Sequence, residues 1–268
     1  MLIVAPTTEL AIQISEQARD LLTFHADMDV MCMSGGKKMS QEVRQLSSKS
    51  LPTILVSTPG RLLDHLDGTR IQHRKFSSIM AETKIVVLDE MDRLLDGFPK
   101  EIRRILSFLP RTEKRQTLLF SATVPKRLRA FLANTMKIDC REVDCIHGNG
   151  NAETGLRLVQ SYFVLDGMDQ YITALVAIVR KAVSEDDNHK ILVFLPAVKL
   201  VRYFATLFNV GLGIPVLEIH SRMSHSARLR ASSTFKDAKR GVLFTSDVSA
   251  RGKYTRRVPL CCNDWAGT

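Results

Sequence analysis

Eight times along this chain a short apolar run stops abruptly at small, polar or charged residues. LIVA meets PTTEL, VMCM meets SGGKK, ILVS meets TPGRL, IVVL meets DEMD, LLF meets SATVP, ILVF meets LPAVK, VLEI meets HSRMS, and VLFT meets SDVSARG. Runs this short, bounded by turn formers, read as strands at Leu2–Ala5, Val30–Met33, Ile54–Val56, Ile85–Leu88 and Leu118–Phe120. A second set follows at Gln160–Leu165, Ile191–Leu195, Val216–Ile219 and Val242–Phe244. Amphipathic stretches lie between them. In the first, Leu10, Ile14, Ala18 and Leu21 recur at helical spacing, with Thr7 or Thr8 as the cap and Glu9 in the first turn. Strands apolar on both faces, alternating with helices, call for a parallel sheet covered on both sides, so the fold class is α/β.

The rhythm breaks at DCIHGNGNAETG, from Asp144 to Gly155, which holds three glycines and two asparagines. It reads as a linker between domains at 1–143 and 156–252. At roughly 150 residues per domain, 268 residues suit two. The last sixteen residues, KYTRRVPLCCNDWAGT, follow neither period and read as a divergent tail from 253 to 268, either flexible or appended by a frame change or retained intron.

Ligands of open α/β sheets bind beyond the carboxyl ends of the strands. The eight junctions therefore describe a ligand rim on each domain. The net charge of +10 favours a polyanionic partner. Arg222–Arg257 alone carries ten basic residues against Asp237 and Asp247. No apolar run approaches the roughly 20 residues of a membrane span, so no membrane partner is expected. The opening MLIVAPTTELA lacks the basic leader of a signal peptide. Five cysteines without a CxxC pair suit a reducing compartment and no structural zinc; Cys140 and Cys145 form an incidental C-x4-C.

At the junctions, Asp89 and Glu90 follow a β-branched run. A carboxylate there can take a Mg²⁺ that bridges nucleotide phosphates, and its neighbour can orient an attacking water. An acidic helix start is the plainer alternative. Thr58, Pro59, Gly60 and Arg61 put a hydroxyl, a turn and a cation at a strand-to-helix junction, where helix-start amides and a guanidinium bind phosphate. Gly35 and Gly36 let a backbone approach a ligand, or simply form a turn. Ser121 and Thr123 bring hydroxyls to a strand end, or cap a helix before Pro125. His220 and His225 sit five apart with no third ligand, so a metal site is not expected there. Aromatic residues are 6% of the chain, which leaves few platforms for base stacking and favours phosphate and sugar contacts.

The ordered set resembles the DEAD-box RNA helicases of superfamily 2, over about residues 2–252. PTTELA, with Pro6 and Thr7, is similar to motif Ia, Gly35-Gly36 to the GG motif, and Thr58-Pro59-Gly60-Arg61 to motif Ib. DEMD at 89–92 resembles the DEAD motif II, Ser121-Ala122-Thr123 motif III, and Ile191–Pro196 motif IV. His220 through Arg228 resembles the element after it, and SDVSARG at 246–252 motif V. The resemblance implies two RecA-like parallel-sheet domains joined by a linker, both incomplete. It implies ATP and Mg²⁺ as cofactors, with Asp89 at the metal and Asp89, Glu90, Asp92, Ser121 and Thr123 as catalytic residues. RNA contacts fall to Pro6, Thr7, Gly35, Gly36, Thr58, Pro59, Gly60, Arg61, His220, Arg228 and Thr245. Asp247, Arg251 and Gly252 would meet nucleotide or the other domain. RNA would be held by its backbone with little sequence specificity, and the 2′-hydroxyl would separate it from DNA.

The chain departs from the family in several places. No G-x-x-x-x-G-K-[ST] run occurs, and the P-loop and Q motif of the family would precede Met1. That departure predicts a missing central strand and a long apolar sheet edge. Motif VI, with its arginine finger, is missing, and Lys253 and Tyr254 follow Gly252. Thr8 stands where the family has Arg, and Met91 where it has Ala. The leading expectation is an ATP-dependent RNA helicase, an RNA-stimulated ATPase that remodels short duplexes, of which this chain is an inactive fragment. The alternatives are a non-catalytic RNA-binding scaffold and a RecA-fold ATPase acting on DNA. The resemblance suggests an intracellular, mitochondrial or nucleolar setting without choosing among them.

Overall fold

The computed structural model of the protein describes residues 1–36, 38–48, 51–137, 139–145, 161–167, 169–246 and 260–263. The chain divides into two compact units, Met1–Arg141 and Glu142–Thr268. The linker expected at 144–155 lies almost wholly outside the described residues.

Unit 1 runs β1 (Leu2–Val4), α1 (Thr8–Leu21), β2 (Val30–Met33), α2 (Met39–Ser48), β3 (Ile54–Ser57) and α3 (Pro59–Gly68). A short antiparallel ribbon, β4 (Arg70–Ile71) and β5 (Arg74–Lys75), leads into α4 (Phe76–Met80). Then come β6 (Ile85–Leu88), α5 (Met91–Gly97), α6 (Pro99–Phe108), β7 (Gln116–Leu119) and α7 (Lys126–Thr135). The sheet is parallel, in the order β2-β3-β1-β6-β7. Successive side chains of each strand serve opposite faces. Val4, Met33 and Leu55 join the larger core with Leu62, Leu94, Ile102 and Ile105. Cys32 and Val56 pack with Ala11 on the α1 side. Thr7, not Thr8, caps α1: its hydroxyl accepts from Leu10 N at 3.2 Å.

The sheet corrects one expectation. Among the described strands there is no central gap, because β1 pairs with both β3 and β6. Nor is there a long apolar edge. The outermost strands have four residues each, and β7 is the half-exposed run QTLL.

Unit 2 contains α8 (Asp169–Glu185), β8 (Lys190–Leu195), α9 (Val198–Thr206) and a π turn at Leu207–Gly211. It continues with β9 (Val216–Ile219), α10 (His225–Asp237), β10 (Gly241–Ser246) and β11 (Leu260–Asn263). Its parallel order is β11-β8-β10-β9. Phe208 and Phe244 meet edge-to-face at 5.0 Å, inside a core with Val179, Val193 and Phe204. Leu192, Ile219, Phe235 and Leu243 fill the opposite face. The amide of Asn209 brackets the first residue of β9, accepting from Val216 N at 2.9 Å and donating to Val216 O at 3.1 Å.

Two sequence expectations fail in this unit. Residues 161–165 form no strand, and Tyr162, Phe163 and Val164 lie exposed. Leu260–Asn263, inside the stretch read as an aperiodic tail, is a strand in register with Ile191–Phe194 of β8. The second has a plain cause: the outer edge of β8 offers amides and carbonyls, and Leu260–Asn263 pairs with them.

Candidate functional site

Register brings the strand ends of unit 1 to one rim. Asp89 N donates to Val4 O at 3.0 Å, Ala5 N to Ser57 O at 3.0 Å, and Phe120 N to Leu88 O at 2.9 Å. The residues after β1, β2, β3, β6 and β7 therefore emerge together.

Beyond β6, Asp89 is half-buried and its Oδ1 accepts from Glu90 N at 3.0 Å. Burial pushes the Asp89 carboxyl above its ordinary value, and that backbone bond pulls the other way. Glu90 sits in the left-handed region, φ 48 and ψ 55, which a non-glycine residue adopts only at a cost. Its carboxyl is also raised, first by burial; Arg93 opposes this, and Asp89 and Asp92 add to it. Arg93 Nε lies 3.6 Å from Glu90 Oε2. Met91 is fully buried in the larger core, so the bulk that replaces the family's Ala is accommodated there.

Ser121 and Thr123 converge on the far end of the same segment. Ser121 Oγ accepts from Asp92 N at 3.3 Å and donates to Thr123 O at 2.7 Å. Thr123 Oγ1 donates to Asp92 Oδ2 at 2.9 Å. Together with Met91 N donating to Phe120 O at 2.9 Å, these bonds tie the β7 end to the start of α5. The hydroxyls thus hold the acidic segment through Asp92, in place of the helix cap that the sequence alone also allowed.

A groove of about 360 Å³ opens where β1, β2 and β3 end. Pro6, Thr8, Gly35, Thr58, Pro59, Gly60, Arg61, Asp64 and Phe98 line it. It gathers residues from motifs Ia, GG and Ib that are more than fifty positions apart in sequence. Gly36, with φ 96, makes the turn after β2 and requires glycine there. Thr58 opens α3 without a side-chain cap bond. Asp64 and Phe98 were not singled out in the sequence, since neither ends a strand.

Beneath the groove lies a feature no junction announced. Glu42 of α2 is 2% exposed, yet its carboxylate takes three donors. Ser34 N lies 3.3 Å from Oε1; Arg61 Nη1 and His65 Nε2 lie 3.1 and 3.0 Å from Oε2. His65, fully buried, also meets Thr69 Oγ1 at 3.0 Å. Removing one member of such a buried ionic set costs about 3–5 kcal/mol. Arg61, read from sequence as a phosphate ligand, therefore has one nitrogen engaged by Glu42. The sequence signal was a carboxylate at i,i+4 from Leu46, on the buried stripe of α2.

In unit 2, the register Thr245↔Ile219 sets Ser246 beside His220 at the ends of adjacent strands. Both are buried, and His220 Nδ1 and Ser246 Oγ have no partner among the described residues. His220 Nε2 is 3.8 Å from Glu218 Oε2. Arg228 is half-buried in the first turn of α10, which Ser224 caps through Ala227 N at 3.2 Å. Thr245 is fully buried, and its hydroxyl donates to Ser246 O at 3.3 Å. Asp247, Arg251 and Gly252 lie outside the described residues. A larger cavity of unit 1, about 940 Å³, opens among α6, α7 and Arg111–Glu113 and is lined by none of the motif residues.

Two family models match the chain: DEAD/DEAH box helicase over residues 1–131, and helicase conserved C-terminal domain over residues 170–263. The chain belongs to the DEAD-box helicase family. DEAD-box ATP-dependent RNA helicase 26 of Oryza sativa subsp. japonica is 40% identical over 94% of this chain and 45% of that protein. DEAD-box ATP-dependent RNA helicase 25 of Arabidopsis thaliana is 39% identical over 94% of this chain and 43% of that protein. A solved structure of the DEAD-box helicase Mss116 bound to single-stranded RNA and UDP-BeF matches with a TM-score of 0.80 at 28% identity, over 98% of this chain and 53% of that one. The parallel-sheet units of this chain have the RecA-like fold of that family. The chain spans a little under half the length of these curated relatives.

Among the described residues no cluster of three metal-ligating side chains occurs. A divalent cation fits Asp89 only as one bound largely by water and phosphate oxygens, the ordinary habit of Mg²⁺. The loop of backbone amides that cradles a triphosphate has no sequence match in this chain.

Proposed function

We propose that this chain supplies the RNA grip and the acidic motif of a DEAD-box ATP-dependent RNA helicase. The groove of Thr8, Gly35, Thr58, Gly60 and Arg61 carries the proposal. It is rich in backbone from Pro and Gly, holds a cation, and has Phe98 as its one aromatic wall, which suits phosphates more than a run of stacked bases. Asp89 would hold Mg²⁺ through water, Glu90 would orient the attacking water, and Ser121 and Thr123 would keep the acidic segment in place. ATP, when bound, supplies the phosphoryl chemistry. The residues of this chain alone fit the metal better than the triphosphate, so the chain by itself should turn ATP over poorly or not at all. A second reading, an RNA-binding scaffold without ATPase activity, draws on the same groove.

Two measurements test this. Binding of single-stranded RNA across a salt series should weaken by about 0.7 log units per phosphate contact for each tenfold rise in salt. Absence of binding, or binding indifferent to salt, overturns the RNA grip. Phosphate release from ATP should not respond to RNA; RNA-stimulated release that Glu90→Gln abolishes overturns the inactivity of the chain. RNA affinity unchanged by ATP and Mg²⁺ favours the scaffold, and affinity raised by them favours the helicase.

A further inference from the structure

We propose that Glu42 is a positioning residue for the RNA-backbone groove, holding the Arg61 guanidinium and the Ser34–Gly35 turn where a phosphate would meet them. The inference rests on the RNA grip proposed above. Four elements build the groove wall: the starts of α1 and α3, the turn after β2, and Phe98 between α5 and α6. Glu42 belongs to none of them, yet it bonds two. Its Oε1 takes the Ser34 amide, one residue before Gly35, and its Oε2 takes Arg61 Nη1 at the start of α3. Through the same oxygen it also holds His65, one turn further along α3.

Packing alone does not call for this arrangement. An apolar side chain of equal volume commonly serves a buried position as well as an ion pair does, or better. A carboxylate does what an apolar residue cannot: it fixes the place and plane of a guanidinium. An Arg held in advance surrenders less rotamer freedom on meeting a phosphate, and its planar fork is sensitive to orientation. The site also carries a built-in contrast of sign. Glu42 is negative and lies under an anion-binding groove. By charge alone, its removal would strengthen RNA binding. By positioning, its removal weakens it.

The test uses the full chain and a short unstructured oligouridine, with affinity read by fluorescence anisotropy across a salt series. The proteins are wild type, Glu42→Gln, Arg61→Gln and the double variant, each with a thermal melt. Glu42→Gln should weaken binding roughly threefold to tenfold, the cost of immobilising one long side chain anew. Arg61→Gln should weaken it at least as much and lower the salt slope by about one contact. The double variant should lose less than the two single losses combined, because part of what Glu42 does is done through Arg61. Tighter or unchanged binding by Glu42→Gln, or losses that add, overturns the inference while the RNA grip stands. Failure of wild type to bind overturns both. Should Glu42→Gln melt below the assay temperature, Arg61→Lys takes its place. Lysine keeps the charge but not the fork, so a comparable loss supports positioning, and wild-type affinity overturns it.

Discussion

Replacing Glu90 with glycine should make the first unit more stable while removing the carboxylate proposed to orient water. The reason is its backbone, at φ 48 and ψ 55. A non-glycine residue in that region costs about 1–2 kcal/mol. Glycine removes that cost but brings back about 0.5–1 kcal/mol through its freer unfolded chain. The side chain's own contributions oppose one another. Its contact with Arg93 is lost, while its burial and its repulsion from Asp89 and Asp92 are relieved. The net gain is about 0.5–1 kcal/mol, or roughly 1–4 °C in the melting temperature of a unit this size. Glu90→Ala is the control, because alanine removes the same charge but keeps the strain. Thermal melts followed by circular dichroism should therefore rank glycine above alanine by about 0.5–1 kcal/mol. Alanine equal to or above glycine refutes the strain.

The pH dependence of the same pair checks the charge. The Glu90 carboxyl is raised in the folded state, so the unfolded chain ionises first. Wild type therefore loses stability relative to Glu90→Ala as pH rises from below the ordinary glutamate value through the raised one. The advantage of alanine should be small in acid and larger near neutrality; the opposite trend means that Arg93 outweighs burial.

Two further substitutions probe the scaffold. Thr123→Val removes the 2.9 Å bond to Asp92 and should cost about 0.5–1.5 kcal/mol by thermal melting, with no loss if that exposed hydroxyl is equally satisfied by water. Asn209→Ala leaves Val216 N and O without their bracket and should lower the stability of the second unit by about 1–2 kcal/mol in urea, with faster amide exchange at the start of β9.

Much of this protein was legible along the chain. Period and punctuation marked the strands at Val30–Met33, Ile85–Leu88 and Val216–Ile219 with the bounds they have in the structure. The residues after each strand could be named because a parallel sheet sends all its carboxyl ends to one rim. What sequence could not supply was partnership. The local pattern marked QSYFVL as a strand and PLCCN as none, yet residues 161–165 form no strand and Leu260–Asn263 pairs with β8. The same holds for side chains. TPGRL identified Arg61 as a cation at a junction, but the carboxylate that grips it lies nineteen residues earlier on another helix. Hydroxyls at Ser121 and Thr123 could equally cap a helix or reach across the rim, and only folding placed Asp92 within their range. Sequence by itself determined which elements form and which chemistry reaches the rim, because periodicity and turn chemistry act between neighbours. Tertiary structure alone decided which edge is filled and which charge is buried, because those depend on groups the fold brings together from distant positions.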